Sequence, residues 1–194
     1  MAKNVVRIGI GGEAGHVARA PTADDLPPPA QDYVKEFAGI YFEAMNQWFA
    51  LLRIGQTGDV LSRVIQTKLP FGKFGIYLNA GHLIHLDEWV SSPIFPGSMV
   101  PIHSGMAMQV DVIPSSATYC STRMEDGVVI AGRDLQEKLR LHYPACFSRC
   151  LGRREFMRNT LGIEVNDDVL PLSNMPAIVP PYFLGPNRIL VLTN

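Results

Sequence analysis

Three ionisable side chains interrupt apolar, strand-like sequence within a single stretch of this chain. The stretch passes through Ala80-Gly81-His82-Leu83-Ile84-His85, then Met106-Ala-Met-Gln-Val-Asp111-Val-Ile113, then Arg123-Met-Glu125-Asp126-Gly127. An ionised group in apolar surroundings is costly unless a charge or a hydrogen bond meets it. Asp111 breaks a run that otherwise reads as a buried strand, so its carboxyl either takes up a proton or finds a partner. His82 and Glu125 have simpler readings of their own, the first as a core histidine bonded to backbone, the second as one arm of a salt bridge with Arg123. The separations nevertheless let neighbouring strands of one antiparallel sheet carry one of the three each. Strand alternation would then point all three to one face. A shared divalent cation is one partner that satisfies such a set.

The rest of the composition narrows the field. The chain has 194 residues and is 47% hydrophobic, which suits one globular domain, 1–194, with a substantial core. A net charge of −1 gives no field to draw in nucleic acid or an anionic membrane surface. No apolar run approaches the roughly 20 residues that span a bilayer, and Met1-Ala-Lys-Asn-Val-Val-Arg7 has no leader-like apolar region. The three cysteines, Cys120, Cys146 and Cys150, are too few and odd in number for a disulfide framework. Cys146 and Cys150 are spaced as a helical metal pair would be, but no second pair completes a tetrahedral site, so they read as reduced thiols on a helix face. A cytoplasmic location is the expectation.

Hydrophobic periodicity organises the chain as α+β. Val5–Ile10 reads as a strand, turned back at Gly11-Gly12 toward a partner at His16–Ala20. Pro21–Pro29 reads as a loop. Val34, Phe37, Ala38, Tyr41, Met45, Trp48, Phe49 and Leu52 recur at helical spacing, predicting a long helix over Ala30–Ile54 that stops at Gly55. A second helix is expected over Asp59–Thr67, after a cap at Thr57 or Asp59. Strands follow at Gly75–Leu78, Met106–Ile113, Ala117–Met124 and Val128–Ala131, then helices at Arg133–His142 and from Pro144 to Leu161. The tail is proline-rich and ends in a strand, Arg188–Leu192. Helices and strands do not alternate as βαβ units, which disfavours a doubly wound parallel sheet.

Two familiar motifs fail on physical grounds. Gly9-Ile-Gly11-Gly-Glu-Ala14 has the letters of a dinucleotide fingerprint, but the fingerprint needs a helix opening there to meet the pyrophosphate, and prolines follow instead. No Gly-x-Ser-x-Gly elbow is present, and Ser104-Gly105 reads as a turn.

The succession Gly-His82, then Gly105-Met-x-x-x-x-Asp111-x-x-Pro114, then Arg123-x-Glu125-Asp126 resembles the second half of the pita-bread metallopeptidases. That family includes the methionine and Xaa-Pro aminopeptidases, prolidase and creatinase. The resemblance implies a curved antiparallel sheet flanked by helices, here trimmed at its N-terminal side or belonging to a longer protein, with a homo-oligomer as the expected state. It carries the metal ligands over to His82, Asp111 and Glu125, with Glu125 and His82 as the catalytic pair. The long helix ending in Gly55-Gln-Thr-Gly58, and Arg19-Ala20, resemble further family features.

The pattern also departs from the family. Its first ligand hairpin carries two aspartates, but His16 stands where the second belongs and Val5–Ile10 contains no acid. Asp111 replaces a glutamate, shortening its reach by ~1.5 Å. Trp89 stands where many members have a second histidine, leaving His85 or His103 as substitutes, with His16 as a candidate added nitrogen ligand. The implied cofactor is therefore one divalent ion (Mn, Co, Zn or Fe) rather than two, or none. The implied activity is hydrolysis of an N-terminal peptide bond, Xaa-Pro aminopeptidase- or prolidase-like, with a peptide or small amide as substrate. The alternative is a metal-free pita-bread protein, either a creatinase-like amide hydrolase or a binding module. Trp89, Tyr119 and Phe183 are candidates for lining a specificity pocket, or ordinary core and rim.

Overall fold

A computed structural model describes residues 5–7, 13–15, 20–87 and 90–193, the first two segments as backbone. Strands β1 (Val5–Arg7), β2 (Glu13–Gly15), β3 (His82–Leu83), β4 (Ala107–Asp111), β7 (Arg123–Ile130) and β8 (Val169–Pro171) form one antiparallel sheet. A small hairpin, β5 (Ser115–Ser116) and β6 (Cys120–Ser121), stands apart. The helices are α1 (Gly39–Leu51), α2 (Gly58–Lys68), α3 (Phe71–Phe74), α4 (Arg133–His142) and α5 (Pro144–Asn159). The class is α+β, as expected, and none of the described helices is long and apolar enough to cross a membrane.

The sheet is organised around β7. One edge of β7 pairs along its length with β4, from Asp111↔Glu125 to Ala107↔Val129. Its other edge is shared, with β2 against Arg123–Glu125 and β8 against Val128–Ile130. Alternation gives each strand two unlike faces. Met108, Val110, Met124, Val128 and Ile130 are fully buried against the helices, while Gln109, Glu125 and Val129 are only partly covered.

α1 supplies the other half of the core. Tyr41, Phe42, Met45, Trp48 and Phe49 are buried, as the helical spacing predicted. Two hydrogen bonds tie α1 to the sheet. The Tyr41 hydroxyl accepts the Met124 N–H at 2.9 Å, and the Trp48 indole N–H donates to the Ala80 carbonyl at 2.9 Å. The helix begins later than the predicted Ala30. Pro28–Ala30 is a 3₁₀ turn, and Val34–Ala38 is wound as a π-helix that closes on the Val34 carbonyl at Gly39. A side chain at Gly39 would put its Cβ 2.7 Å from that carbonyl oxygen, so the bulge sits where only glycine fits. α2 starts one residue early, with Thr57 at its N-cap position, and Asp59 instead accepts the Gly97 N–H at 2.7 Å.

Several expected strands are revised. Gly75–Leu78 is not a strand, because α3 ends there on Gly75 in the left-handed region at φ +52. Ala117–Met124 and Val128–Ala131 are not two strands separated by a turn at Glu125-Asp126-Gly127. Asp126 faces the core, so β7 runs through that segment without breaking its alternation. The tail Arg188–Leu192 is no strand either, and it is held by single bonds from Leu190 N–H to Val179 and from Leu192 N–H to Leu161. The last strand is β8, at the start of the proline-rich tail that the sequence marks as extended without a strand there. In the first hairpin the partner of β1 is Glu13–Gly15, with Val5↔Gly15 and Arg7↔Glu13, rather than His16–Ala20. His16, Arg19, Glu88 and Trp89 lie outside the described residues.

Gly81 has a particular place in this arrangement. It sits at φ +107 immediately before His82, and a Cβ there would lie 3.0 Å from Trp48 Cζ2 and 3.2 Å from the Gln109 carbonyl oxygen. Gly81→Ala is expected to cost about 1–3 kcal/mol, from a left-handed backbone and a crowded core contact together. Urea denaturation checks this, and an unchanged midpoint would show that the approach of α1 to β3 is not tight.

Candidate functional site

The three residues singled out by the sequence come from adjacent strands of one sheet. His82 opens β3 and pairs with Gln109 of β4, while Asp111 ends β4 and pairs with Glu125 of β7. Directly paired residues share a face, and so do residues two apart on a strand. His82, Gln109, Asp111 and Glu125 therefore project to the same side, away from the face packed on α1. The register of β2 sets Glu13 opposite Glu125.

His82 and Asp111 are buried, 5% and 7% exposed. The His82 Nδ1 lies 2.9 Å from the Leu83 carbonyl oxygen. A carbonyl can only accept, so Nδ1 carries the hydrogen and Nε2 is the ring atom left to act. Nε2 faces Asp111 Oδ2 at 3.7 Å. In a neutral ring Nε2 is an acceptor, and so is the carboxylate oxygen. Two acceptors facing each other at that distance are stabilised by a positive charge between them, either a proton or a metal cation.

Glu125 is less buried and has a partner the sequence reading passed over. Gln109 Nε2 donates to Glu125 Oε1 at 2.7 Å. Gln109 was legible in principle, because it precedes Asp111 by two residues and must share its face. This amide is one partner of the Glu125 carboxylate. Asp126 points to the other side of the sheet. Among the described residues, no three His, Cys, Asp or Glu side chains gather closely enough to hold a metal ion, so His85 and His103 do not complete a cluster there. Tyr119 is a rim residue of the core, stacked on Phe37 at 5.5 Å and donating its hydroxyl hydrogen to Asp32 at 2.8 Å. Phe183 is a partly exposed surface residue, and Cys120, Cys146 and Cys150 form no disulfide.

No family model, no curated protein and no solved structure matches this chain.

The neighbouring acids Glu125 and Asp126 have opposite environments. Asp126 is buried and accepts the Ala177 N–H at 2.7 Å, with Ala177 itself in the left-handed region at φ +56. Burial pushes the Asp126 carboxyl up to about 6, and the bonds from Ala177 and the Ser173 hydroxyl only partly oppose that. The folded protein therefore holds this proton more tightly than the unfolded chain, whose aspartates titrate near 4. The stability Asp126 contributes is present below that lower value and is lost as pH rises through about 6. Asp126→Asn removes the titration. Relative to wild type it should gain about 2 kcal/mol between pH 4 and pH 7, read by denaturant unfolding at both values. A difference independent of pH would show that Asp126 does not titrate in this window.

Proposed function

We propose that this chain is a metal-dependent hydrolase acting on an N-terminal peptide bond, with a pita-bread-like sheet and with His82, Asp111 and Glu125 as its ligand set, three side chains that share a sheet face and that an ion would have to draw closer together. The observation that carries the reading is the approach of His82 Nε2 to Asp111 Oδ2 at 3.7 Å, with Nδ1 already committed to a backbone carbonyl. A backbone acceptor on the far nitrogen is the usual support of a metal-binding imidazole, because it fixes both tautomer and ring orientation. One imidazole and two carboxylates suit Mn, Co, Zn or Fe. His82, Asp111 and Glu125 would hold such an ion, which would supply Lewis acidity toward a scissile carbonyl and lower the pKa of water at the site. The chain's own groups do the rest. Glu125, partly exposed and steadied by Gln109, is positioned to move a proton. The order of the three motifs, from Gly81-His82 to Arg123-Met-Glu125, is the sequence support for the pita-bread assignment.

A second reading follows from the same approach of Nε2 to Oδ2. The positive charge between them is then a proton, and His82 with Asp111 forms an acid–base pair that needs no metal, as in a creatinase-like amide hydrolase. The Gln109 bond favours this reading, because one Glu125 oxygen already has a partner at 2.7 Å.

Elemental analysis of purified protein at neutral pH separates the two. The metal reading expects about one Mn, Co, Zn or Fe per chain, restored by adding Mn(II) or Zn(II) after chelation. His82→Ala and Glu125→Ala are each expected to abolish that occupancy. Less than ~0.2 metal per chain after reconstitution would leave the acid–base pair as the surviving reading. Full occupancy in either variant would show that the ligands lie elsewhere.

A further inference from the structure

A cleft beside α2 has no part in the site on the sheet, and none of His82, Gln109, Asp111 and Glu125 lines it. Ser62, Ile65, Gln66 and Leu69 recur at helical spacing, so one face of α2 makes one side of it. Phe71 of α3, residues 76 and 78–80, and residues 94–96 complete the lining. The cleft measures about 400 Å³. That falls within the ~300–1,000 Å³ of ordinary small-molecule sites.

The surrounding segments are fixed to one another. Gly58 at the start of α2 lies so close to Pro93 that a Cβ there would sit 1.8 Å from the Pro93 carbonyl oxygen. Asp59 accepts the Gly97 N–H at 2.7 Å, and the Ser92 hydroxyl donates to the Gly81 carbonyl at 2.5 Å. These contacts set the spacing of α2, the 93–97 loop and the chain before His82 without filling the space between them. The cleft is therefore formed before anything enters it.

Its lining decides what fits. Ile65 and Ile94 are buried at the base, while Phe71 and Phe95 are 59% and 47% exposed. The Phe71 ring is held edge-on against Tyr77 at 5.1 Å. Covering such apolar surface is favourable by roughly 25 cal/mol for each Å². Ser62, Gln66 and Asn79 add a hydroxyl and two amides, and among the described residues no Asp, Glu, Lys, Arg or His lines the cleft. A charged ligand would lose its hydration there and meet no counter-charge. A neutral hydrogen-bonding group does better, because a hydroxyl and an amide each both donate and accept.

Size separates a small molecule from a docked helix. One helical turn, about 10 Å across and ~5.4 Å long, already takes up about 420 Å³. Docking in a groove uses anchors spread over about two turns. An apolar cavity of about 150 Å³ accepts one benzene ring, so this cleft matches about two to three rings.

We propose that the cleft binds an uncharged, largely apolar small molecule of about two to three rings that carries one or two hydrogen-bonding groups. The proposal is independent of the hydrolase reading and of any metal.

The test uses the whole protein and two fluorescent probes with the same anilinonaphthalene rings. N-phenyl-1-naphthylamine is uncharged, and 8-anilinonaphthalene-1-sulfonate adds a sulfonate. Titration should show a single uncharged probe per chain, with the sulfonate bound about tenfold or more weakly. Gln66→Trp adds bulk to the lining from an exposed position and should weaken the uncharged probe by about tenfold, with the urea midpoint unchanged. Phe95→Asp places a carboxylate on the exposed rim and should weaken it likewise. Leu141→Asp, at an exposed position outside the lining, should leave binding as it is. Equal affinity for the two probes overturns the uncharged class. No binding of the uncharged probe, or binding that neither Gln66→Trp nor Phe95→Asp weakens, overturns the site. A dimer seen by sedimentation that Gln66→Trp dissociates, with no probe bound by wild type, gives the cleft to a second copy of the chain and also overturns the proposal.

Discussion

The pairing of β4 with β7 is the constraint on which the rest of the molecule hangs. It sets Asp111 beside Glu125, Gln109 beside Gly127 and Met108 beside Val128. A slip of one residue would exchange the two faces of a strand. Met108 and Val110 would then face outward, and Asp111 would enter the core against α1. Each fully buried apolar side chain contributes roughly 1.5–3 kcal/mol, so Met108 and Val110 together with the cost of burying Asp111 hold this register more firmly than a polar contact on the other side. The candidate site is thus positioned by burial on the face it does not occupy.

The same alternation gives adjacent residues different chemistry. Glu125 and Asp126 are neighbours in sequence and both are acids. Glu125 meets an amide on the open face, while Asp126 is sealed among Ser173 and Ala177 on the packed face and titrates far higher than an exposed aspartate. The first lies on the side of the sheet away from α1, only partly covered. The second serves the architecture, tying the chain after β8 to the central strand. α1 completes the frame from the packed side. Its Trp48 holds the Ala80 carbonyl, and the crowded glycine that follows fixes where His82 enters the sheet.

Much of the fold was legible because long helices and buried strands write their period into the sequence. The spacing of Tyr41, Met45, Trp48 and Phe49 marked α1, and the apolar run around Val110 marked β4. Errors gathered where pairing partners are distant in sequence. β7 was cut in two because Glu125-Asp126-Gly127 has the composition of a turn. Only the pocket made by Ser173 and Ala177, far along the chain, makes a buried aspartate tolerable in mid-strand. β8 was missed because three residues carry too little pattern to register, and Arg188–Leu192 was overread because its apolar side chains pack on the core without a strand partner.

The sequence by itself determined that His82, Asp111 and Glu125 sit in strand-like surroundings and that any shared sheet would turn them to one side. That much follows from the two-residue period and from the cost of a charge in apolar company. Only the tertiary structure decided the remainder. It fixed which strands are neighbours, which ring nitrogen of His82 is left to act, that Gln109 takes up Glu125, and that Ile84 and Leu172 cover Gly127. These are contacts between segments far apart in the chain. Their geometry is set by packing and register across the whole sheet, which no local pattern of residues encodes.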